Sequence, residues 1–212
     1  MKTLQTSNSG EEVGRATAAV PSVDKDRRQW IAATTVAGGT GLVASAVPFV
    51  ASLAPSERAR ALGAPVEVEL QAIQPGELRI VEWRGKPVFV LRRSQDMLVA
   101  LARHDHLLAD PTSRRSIQPD LTRNALRSLA PAMVVLEAVC THLGCIPSFR
   151  PTPGAPDISA SWPGGFYCPC HGSKFDFAGR VFKNVPAPTN LTVPPHAFHS
   201  DSKLLIGGEA KT

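Results

Sequence analysis

The hydrophobic and polar positions divide the chain into three stretches. Residues 1–23 are rich in Ser, Thr, Gly and Glu and have little apolar periodicity, which is typical of a flexible tail. Between Arg28 and Glu57 the sequence contains no Asp, Glu, Lys, Arg or His. From residue 66 onward, short apolar runs alternate with turn residues. This last pattern predicts a domain built mainly from strands.

The uncharged stretch is long enough, as a helix, to cross a hydrocarbon core of about 30 Å. A buried helix of a soluble protein is the weakest alternative, because this helix would be long, uncapped and apolar on all sides. Small residues at 44–46 and 52–54 resemble signal-peptidase sites, so a cleaved secretory signal is a second alternative. The stretch is longer than the apolar region of a usual signal, and we therefore predict a transmembrane anchor over residues 29–55.

Arg27 and Arg28 stand directly before the anchor and resemble a twin-arginine export signal, which serves proteins that take up a cofactor before export. Basic residues on the leading side also favour a cytoplasmic N-terminus. We predict that residues 1–28 form a cytoplasmic tail carrying this signal and that the rest of the chain lies in the periplasm. That compartment permits disulfides. Residues 56–65 lack a hydrophobic face and are predicted to be a flexible hinge linker to a domain over 66–212.

Strand signals recur throughout the predicted domain. Residues 66–70 alternate apolar and acidic side chains, and residues 77–93 hold two β-rich runs around Arg84-Gly85-Lys86, which predicts a hairpin. Residues 133–140 predict a further strand. Later runs, "GFYC", "SKFDF", "GRVF" and "NLTVPP", are short and interrupted by Gly and Pro. The expected fold is all-β, a small antiparallel barrel or sandwich.

One segment departs from the strand pattern. Residues 94–110 have apolar positions at a spacing compatible with a helix: Met97, Leu98, Leu101, Leu107 and Leu108. A polar stretch follows to about residue 130. We predict a helical insertion on the β scaffold.

Composition adds few constraints to this picture. The chain has 212 residues with 43% hydrophobic content, enough for one ordinary core. Its formal net charge of +5 comes from scattered basic residues, with no basic block interleaved with aromatic residues. We therefore predict no nucleic-acid partner. His104, His106, His196 and His199 have no partner at ligand spacing and are predicted to be surface or loop residues.

All four cysteines lie in two short motifs, "CTHLGC" at 140–145 and "CPCHGS" at 168–173. Each motif offers one thiolate and one imidazole from a turn, and Gly144 and Gly172 would let the backbone fold around a bound group. Two disulfides with incidental histidines are one alternative. Zinc is another, although zinc sites usually pair a C-x₂₋₄-C with an H-x₃₋₅-H. One Cys and one His in each loop favour a [2Fe-2S] cluster held by two of each.

Together the two motifs resemble the cluster-binding loops of Rieske iron-sulfur proteins, specifically those of cytochrome bc complexes. The anchor, the linker, the helical insertion and the proline-rich "NVPAPTNLTVPP" at 184–195 extend the resemblance over most of the chain. The resemblance implies one Rieske-type [2Fe-2S] cluster, with Cys140 and Cys168 binding one iron and His142 and His171 the other. It also implies a disulfide between the two remaining cysteines, Cys145 and Cys170.

Three positions near the motifs bear on how such a cluster would be tuned and contacted. Ser173 occupies the family position whose hydroxyl donates a hydrogen bond to the cluster. Phe175 stands where many respiratory relatives carry a tyrosine that donates to a ligand cysteine; as an alternative, it is simply a core aromatic. Leu143 would be an apolar contact at a docking surface or a residue of loop packing. The long Pro- and Gly-rich stretch between Cys145 and Cys168 departs from the family pattern and is predicted to be a loop insertion.

The resemblance implies a function in respiratory electron transport. The chain would be the redox subunit of a multi-subunit ubiquinol-cytochrome c reductase and would not catalyse alone. It would take an electron and a proton from ubiquinol, with His171 as the expected quinol contact and His142 as the second candidate. It would then pass the electron to a c-type cytochrome, with cytochrome b as the other partner, at the inner (cell) membrane.

Two other classes of function stay open. The first is a Rieske electron-transfer subunit of another periplasmic oxidoreductase; a soluble ferredoxin of the dioxygenase type is disfavoured by the anchor and by Cys145 and Cys170. The second is a non-redox exported domain held together by disulfides or zinc. The helical insertion favours the bc complex over its plastoquinol-oxidising relative.

Overall fold

The computed structural model describes residues 24–208. Most of the predicted cytoplasmic tail and the last four residues lie outside this range. The chain divides into two compact units, one ending at Ala54 and the other beginning at Pro55.

The described part of the first unit, residues 24–54, is one long helix, α1 (Lys25–Ser52), with its flanking residues. Asp24 caps it, since its carboxylate accepts a hydrogen bond from the backbone N–H of Asp26 at 3.0 Å. The Thr side chains of α1 donate to carbonyls of the helix itself; Thr35 Oγ1, for example, lies 2.8 Å from the Ile31 oxygen. Such bonds satisfy hydroxyls without water. Among residues 24–208, this is the one helix long and apolar enough to cross a membrane.

The second unit opens with a short exposed helix, α2 (Glu57–Leu62), inside the stretch predicted to be a hinge. The Ser56 hydroxyl caps it by accepting from the Ala59 N–H at 3.2 Å. Arg60 and Glu57 form an exposed ion pair on its surface at 2.6 Å. The sequence pattern did not predict this helix, because its six residues have no hydrophobic face.

Up to residue 208, where the described part of the chain ends, the rest of the second unit is built on nine strands and one further α-helix. The strands are β1 (Val66–Glu69), β2 (Leu78–Trp83), β3 (Lys86–Arg92), β4 (Met133–Glu137), β5 (Ser148–Arg150), β6 (Gly165–Tyr167), β7 (Lys174–Phe175), β8 (His196–Ser200) and β9 (Lys203–Ile206). The helix is α3 (Gln95–Arg103), and 3₁₀ turns span Asp105–Leu107 and Asp120–Thr122. The strands form three antiparallel sheets, ordered β1-β9-β8, β2-β3-β4 and β5-β6-β7. This confirms the predicted all-β domain with a helical insertion.

The predicted hairpin is β2 and β3. Trp83 pairs with Lys86 across a two-residue turn, in which Arg84 and Gly85 both have positive φ, 54° and 71°. Two consecutive residues of this kind match the twist of the flanking strands. The turn therefore fixes the register between β2 and β3.

The central sheet is covered on both sides. Along β3, Phe89 and Leu91 belong to one core, whereas Val88 and Val90 belong to the other. This follows from the alternation of side chains along a strand. The first core also contains Cys140 and Cys168, so the candidate ligands are continuous with the main hydrophobic interior.

Several local predictions were wrong. Helix α3 ends at Arg103, so Leu107 lies in a 3₁₀ turn and Leu108 in an isolated bridge to Phe182 rather than on the helix. The segments "GRVF" and "NLTVPP" form no regular strand; Val181 and Phe182 make only isolated bridges. The stretch predicted as a loop insertion contains β5.

His196 is a further correction, because it is buried in β8 and is not a surface or loop residue. Its Nδ1 lies 2.8 Å from the Pro194 carbonyl oxygen. Burial lowers the pKa of His196 below its ordinary value, since the charged imidazole loses its hydration.

Candidate metal centre

The first motif forms a tight loop that follows β4. The Cys140 N–H donates to the Cys145 carbonyl at 2.8 Å, and the Gly144 N–H donates to the Cys140 carbonyl at 2.9 Å. Gly144 has a φ of 83°, which a residue with a Cβ rarely adopts. These two bonds close the loop on itself.

The second motif repeats the same turn after β6. The Cys168 N–H donates to the Ser173 carbonyl at 2.8 Å, and the Gly172 N–H donates to the Cys168 carbonyl at 2.9 Å. Gly172 also has a positive φ, 75°. The two turns are therefore equivalent, with Cys168 corresponding to Cys140 and Gly172 to Gly144. Their histidines occupy adjacent positions of the turn, because His142 is the second residue after its cysteine and His171 is the third.

The four cysteines take two different roles. Cys145 and Cys170 form a disulfide that joins one loop to the other. Cys140 and Cys168 are free thiols, and each is only 2% exposed. Burial raises the pKa of the Cys168 thiol, with a further contribution from its neighbour Cys140. A thiolate at this position would need a cation beside it, which a bound metal supplies.

The two histidines lie at the outer side of the same site. The rings of His142 and His171 are perpendicular, with their centroids 4.8 Å apart. His171 is exposed and His142 is half-buried, in contrast to the buried thiols. Two sulfur donors inside and two imidazole donors outside suit a [2Fe-2S] cluster of the Rieske type, in which the two irons have different ligands.

A third segment is hydrogen-bonded to both cysteine-histidine loops. The Ala187 N–H donates to Ser173 Oγ at 3.1 Å, and Thr141 Oγ1 donates to the Thr189 carbonyl at 2.7 Å. Ala187 and Thr189 belong to the proline-rich segment at 184–195. The sequence resemblance identified this segment, but neither contact could be predicted from it.

Ser173 is fully buried, and its hydrogen bonding suits a donor toward the cluster. Its oxygen accepts the bond from Ala187, whereas the hydrogen bonds of residues 24–208 include none in which the Ser173 hydroxyl is the donor. The hydroxyl proton is therefore available to a group bound between the loops. This buried donor and the two buried thiols fit the cofactor.

Phe175 and Leu143 have contrasting environments. Phe175 is fully buried in β7, within the main core. Leu143, at the tip of the first loop, is 70% exposed. Leu143 therefore adds an exposed apolar side chain to the outer surface of the site, next to His142 in the chain.

Comparison with known proteins places this geometry in a family. The model of the Rieske [2Fe-2S] domain matches residues 65–195. The chain is 54% identical over 181 residues to the "Ubiquinol-cytochrome c reductase iron-sulfur subunit" of Allochromatium vinosum, covering 85% of this chain and 87% of the relative. It is 42% identical over 193 residues to the protein of the same name from Rhodospirillum rubrum, covering 90% and 97%.

Among solved structures, the chain is similar to one of a "Hyperthermophilic respiratory Complex III", at 29% sequence identity and a TM-score of 0.43, covering 84% of this chain and 98% of the other. The region matched by the family model, residues 65–195, contains both cysteine-histidine loops and strands β1 to β7. The chain belongs to the Rieske [2Fe-2S] family and groups with its ubiquinol-cytochrome c reductase iron-sulfur subunits.

Proposed function

We propose that this chain is the Rieske [2Fe-2S] subunit of a ubiquinol-cytochrome c reductase, which takes an electron together with a proton from ubiquinol and passes the electron to a c-type cytochrome. The observation that carries this proposal is the layering of the site, with two buried thiols behind two histidines near the surface. The identity to bacterial subunits of that name supports the same reaction.

In this proposal Cys140 and Cys168 hold one iron, and His142 and His171 hold the other. When bound, the cluster supplies one-electron redox chemistry at a potential that its histidine ligands raise above that of all-cysteine clusters. The disulfide between Cys145 and Cys170 holds the two loops together around it.

In this proposal, one of the ligand histidines accepts the proton from ubiquinol. An imidazole that binds metal through one nitrogen keeps its second nitrogen free to exchange a proton. His171 is exposed, so its second nitrogen is accessible to the hydroxyl of a quinol, and we assign it as the principal contact. His142 is half-buried and is the second candidate. Leu143 would exclude water where the quinol pocket meets the subunit.

Helix α1 indicates that the reaction takes place at a membrane. Helix α1 is suited to a single crossing of the membrane. We propose that the N-terminus is cytoplasmic, that Arg27 and Arg28 belong to a twin-arginine signal, and that the Rieske domain over 66–212 lies in the periplasm. Cytochrome b and a c-type cytochrome are the proposed partners, and residues 56–65 would be the hinge that lets the domain reach both.

The test is replacement of the native subunit. Membranes lacking the gene should lose ubiquinol-dependent reduction of cytochrome c, and the intact chain should restore it. A His171→Gln variant should not restore it, whereas His199→Gln, which alters an exposed histidine on β8 instead, should. Full activity of the His171→Gln variant would contradict the proposal.

A further inference from the structure

Arg127 is fully buried in the insertion that follows α3, a region whose sequence suggests only a polar loop. Its Nε donates to Gln118 Oε1 at 2.9 Å. Its Nη1 donates to the carbonyls of Ala178 and Gly179 at 3.1 and 3.2 Å, and its Nη2 to the Leu191 carbonyl at 2.6 Å. All four acceptors are neutral.

The contrast with Arg180 shows what is unusual here. Arg180 is also buried, but it bonds the carboxylates of Asp176 and Asp105, each at 2.7 Å. Arg127 has no carboxylate within hydrogen-bonding distance among the described residues. Burial lowers the pKa of Arg127 to about 10, and the side chain therefore remains charged at neutral pH. A buried charge is costly unless its donors are satisfied, so all four bonds of this guanidinium matter to the fold.

The three bonds to backbone carbonyls join the two ends of one segment, residues 178–191. Ala178 and Gly179 lie at its start and Leu191 at its end, and the Leu191 N–H also donates to the Gly179 carbonyl at 2.8 Å. The guanidinium thus holds the two ends of the segment, which we call its base, close to each other. Because an arginine fork is planar and rigid, it fixes the relative positions of the carbonyls it binds.

The middle of the same segment reaches the candidate metal centre. There, the Ala187 N–H donates to Ser173 Oγ, and the Thr189 carbonyl accepts from Thr141, which lies between Cys140 and His142. The bond from Ala187 occupies a lone pair of Ser173 and so determines where the hydroxyl proton can point. The carbonyls that Arg127 binds and the Ala187 N–H that binds Ser173 therefore belong to the same segment.

We propose that Arg127 is a positioning residue for the cluster: by closing the base of residues 178–191, it places the Ala187 N–H so that the Ser173 hydroxyl points at the cluster. This inference rests on the proposed cluster ligands. A hydrogen bond to the cluster stabilises the reduced, more negative form and raises the midpoint potential. Loss of Arg127 should therefore lower the potential through Ser173.

The experiment is a redox titration, followed by electron paramagnetic resonance, of membranes that contain the full-length chain. We expect Arg127→Gln to lower the midpoint potential of the cluster. The control is Arg92→Gln, because Arg92 is half-buried and its side chain donates to a neutral group, the Ile73 carbonyl, at 3.0 Å, which lies outside the segment and does not flank Arg127 in the chain. We expect Arg92→Gln to leave the potential unchanged.

The decisive comparison is the same change in a Ser173→Ala background. If Arg127 acts through Ser173, Arg127→Gln should cause little further fall there. An equal fall in both backgrounds, or an equal fall with Arg92→Gln, would overturn the proposal in favour of a through-space effect of charge. If Arg127→Gln does not retain the cluster, Arg127→Lys serves instead, because a single ammonium cannot span the four acceptors; an unchanged potential in that variant would also overturn the proposal.

The titration requires the cluster but no quinol turnover. A chain with a normal cluster signal that fails to restore ubiquinol oxidation would contradict the proposed function, and the role of Arg127 would still be tested. A normal potential in the Arg127 variants, in a chain that does oxidise ubiquinol, would contradict the role of Arg127 alone.

Discussion

Phe175 lies directly opposite Phe166 in the antiparallel pair of β6 and β7. Phe166 in turn stacks on Phe89 of the central sheet, with ring centroids 5.0 Å apart. Phe175 is therefore a core residue, and it also occupies the position at which the family resemblance implies a tuning tyrosine. The two roles are compatible, because the main core extends to the buried thiols Cys140 and Cys168.

A Phe175→Tyr variant should raise the midpoint potential of the cluster. The added hydroxyl would donate to a ligand sulfur and stabilise the reduced state. A net hydrogen bond of about 1 kcal/mol corresponds to roughly 40 mV for a one-electron couple. The measurement is a redox titration of the purified protein.

The matched control for this variant is Phe177→Tyr, which adds the same hydroxyl to another buried phenylalanine of the main core. The potential of this control should stay near that of the unsubstituted protein. No change or a fall in the Phe175→Tyr variant would contradict the assigned role of this position.

Loss of the disulfide should loosen the site. The Cys145–Cys170 bond joins the two loops and closes a stretch of 25 residues. Removing a bond of this kind typically costs about 3 kcal/mol. A Cys145→Ser, Cys170→Ser double variant should therefore lose its visible cluster absorbance at a lower temperature than the unsubstituted protein. An unchanged temperature of loss would show that the ligands hold the loops without the disulfide.

Stability should fall in mild acid because of His196. Burial lowers the pKa of this histidine below 6.5, so the folded state favours the neutral ring. An unfolded histidine binds its proton near pH 6.5. The contribution to stability is therefore complete above about pH 6.5 and declines as the pH falls below that value toward the folded pKa.

The measurement for His196 is the urea midpoint of the detergent-solubilised protein at pH 8 and at pH 5.5. His196→Gln should reduce the difference between the two midpoints, because a neutral side chain takes its place. His199→Gln, an exposed change on the same strand, should leave the difference as it is. An undiminished difference in the His196 variant would assign the acid sensitivity to other groups.

Proline in α2 should slow electron delivery. Replacing Ala59, Arg60 and Ala61 with prolines breaks a helix that lies within the proposed hinge, since proline is strongly disfavoured in a helix interior. We expect slower cytochrome c reduction with an unchanged cluster spectrum. Arg60→Ala is the control, because it removes only the exposed pair with Glu57, which contributes little. Unchanged turnover in the proline variant would count against a moving domain.

The parts of the site that the sequence predicted are those set by local contacts. The bonds that shape the first loop run between Cys140 and its near neighbours Gly144 and Cys145. A short motif therefore contains most of the information needed for its own turn. The hairpin at Arg84 and Gly85 was predictable for the same reason.

The strands that escaped prediction depend on distant partners. In β8, His199 and Ser200 are exposed and polar, so the strand has little apolar pattern of its own. It pairs with β9, and β9 pairs with β1 from the opposite end of the domain. Only this tertiary pairing makes the region regular.

Arg127 illustrates the same limit for the site. Its local sequence, "NALRS", is ordinary for a surface loop. The groups that it binds at Ala178, Gly179 and Leu191 are far along the chain, and they are backbone carbonyls, which leave no mark in the side-chain pattern. The burial of this charge could therefore be seen only in the folded structure.

The most direct test of the central claim is electron paramagnetic resonance of the purified protein, as isolated and after mild reduction with ascorbate. A histidine-ligated [2Fe-2S] cluster at Cys140, His142, Cys168 and His171 predicts a rhombic signal, with an average g below the free-electron value, that appears on ascorbate reduction. No signal even with dithionite, together with zinc or no metal by elemental analysis, would contradict the account and assign the cysteines to structure.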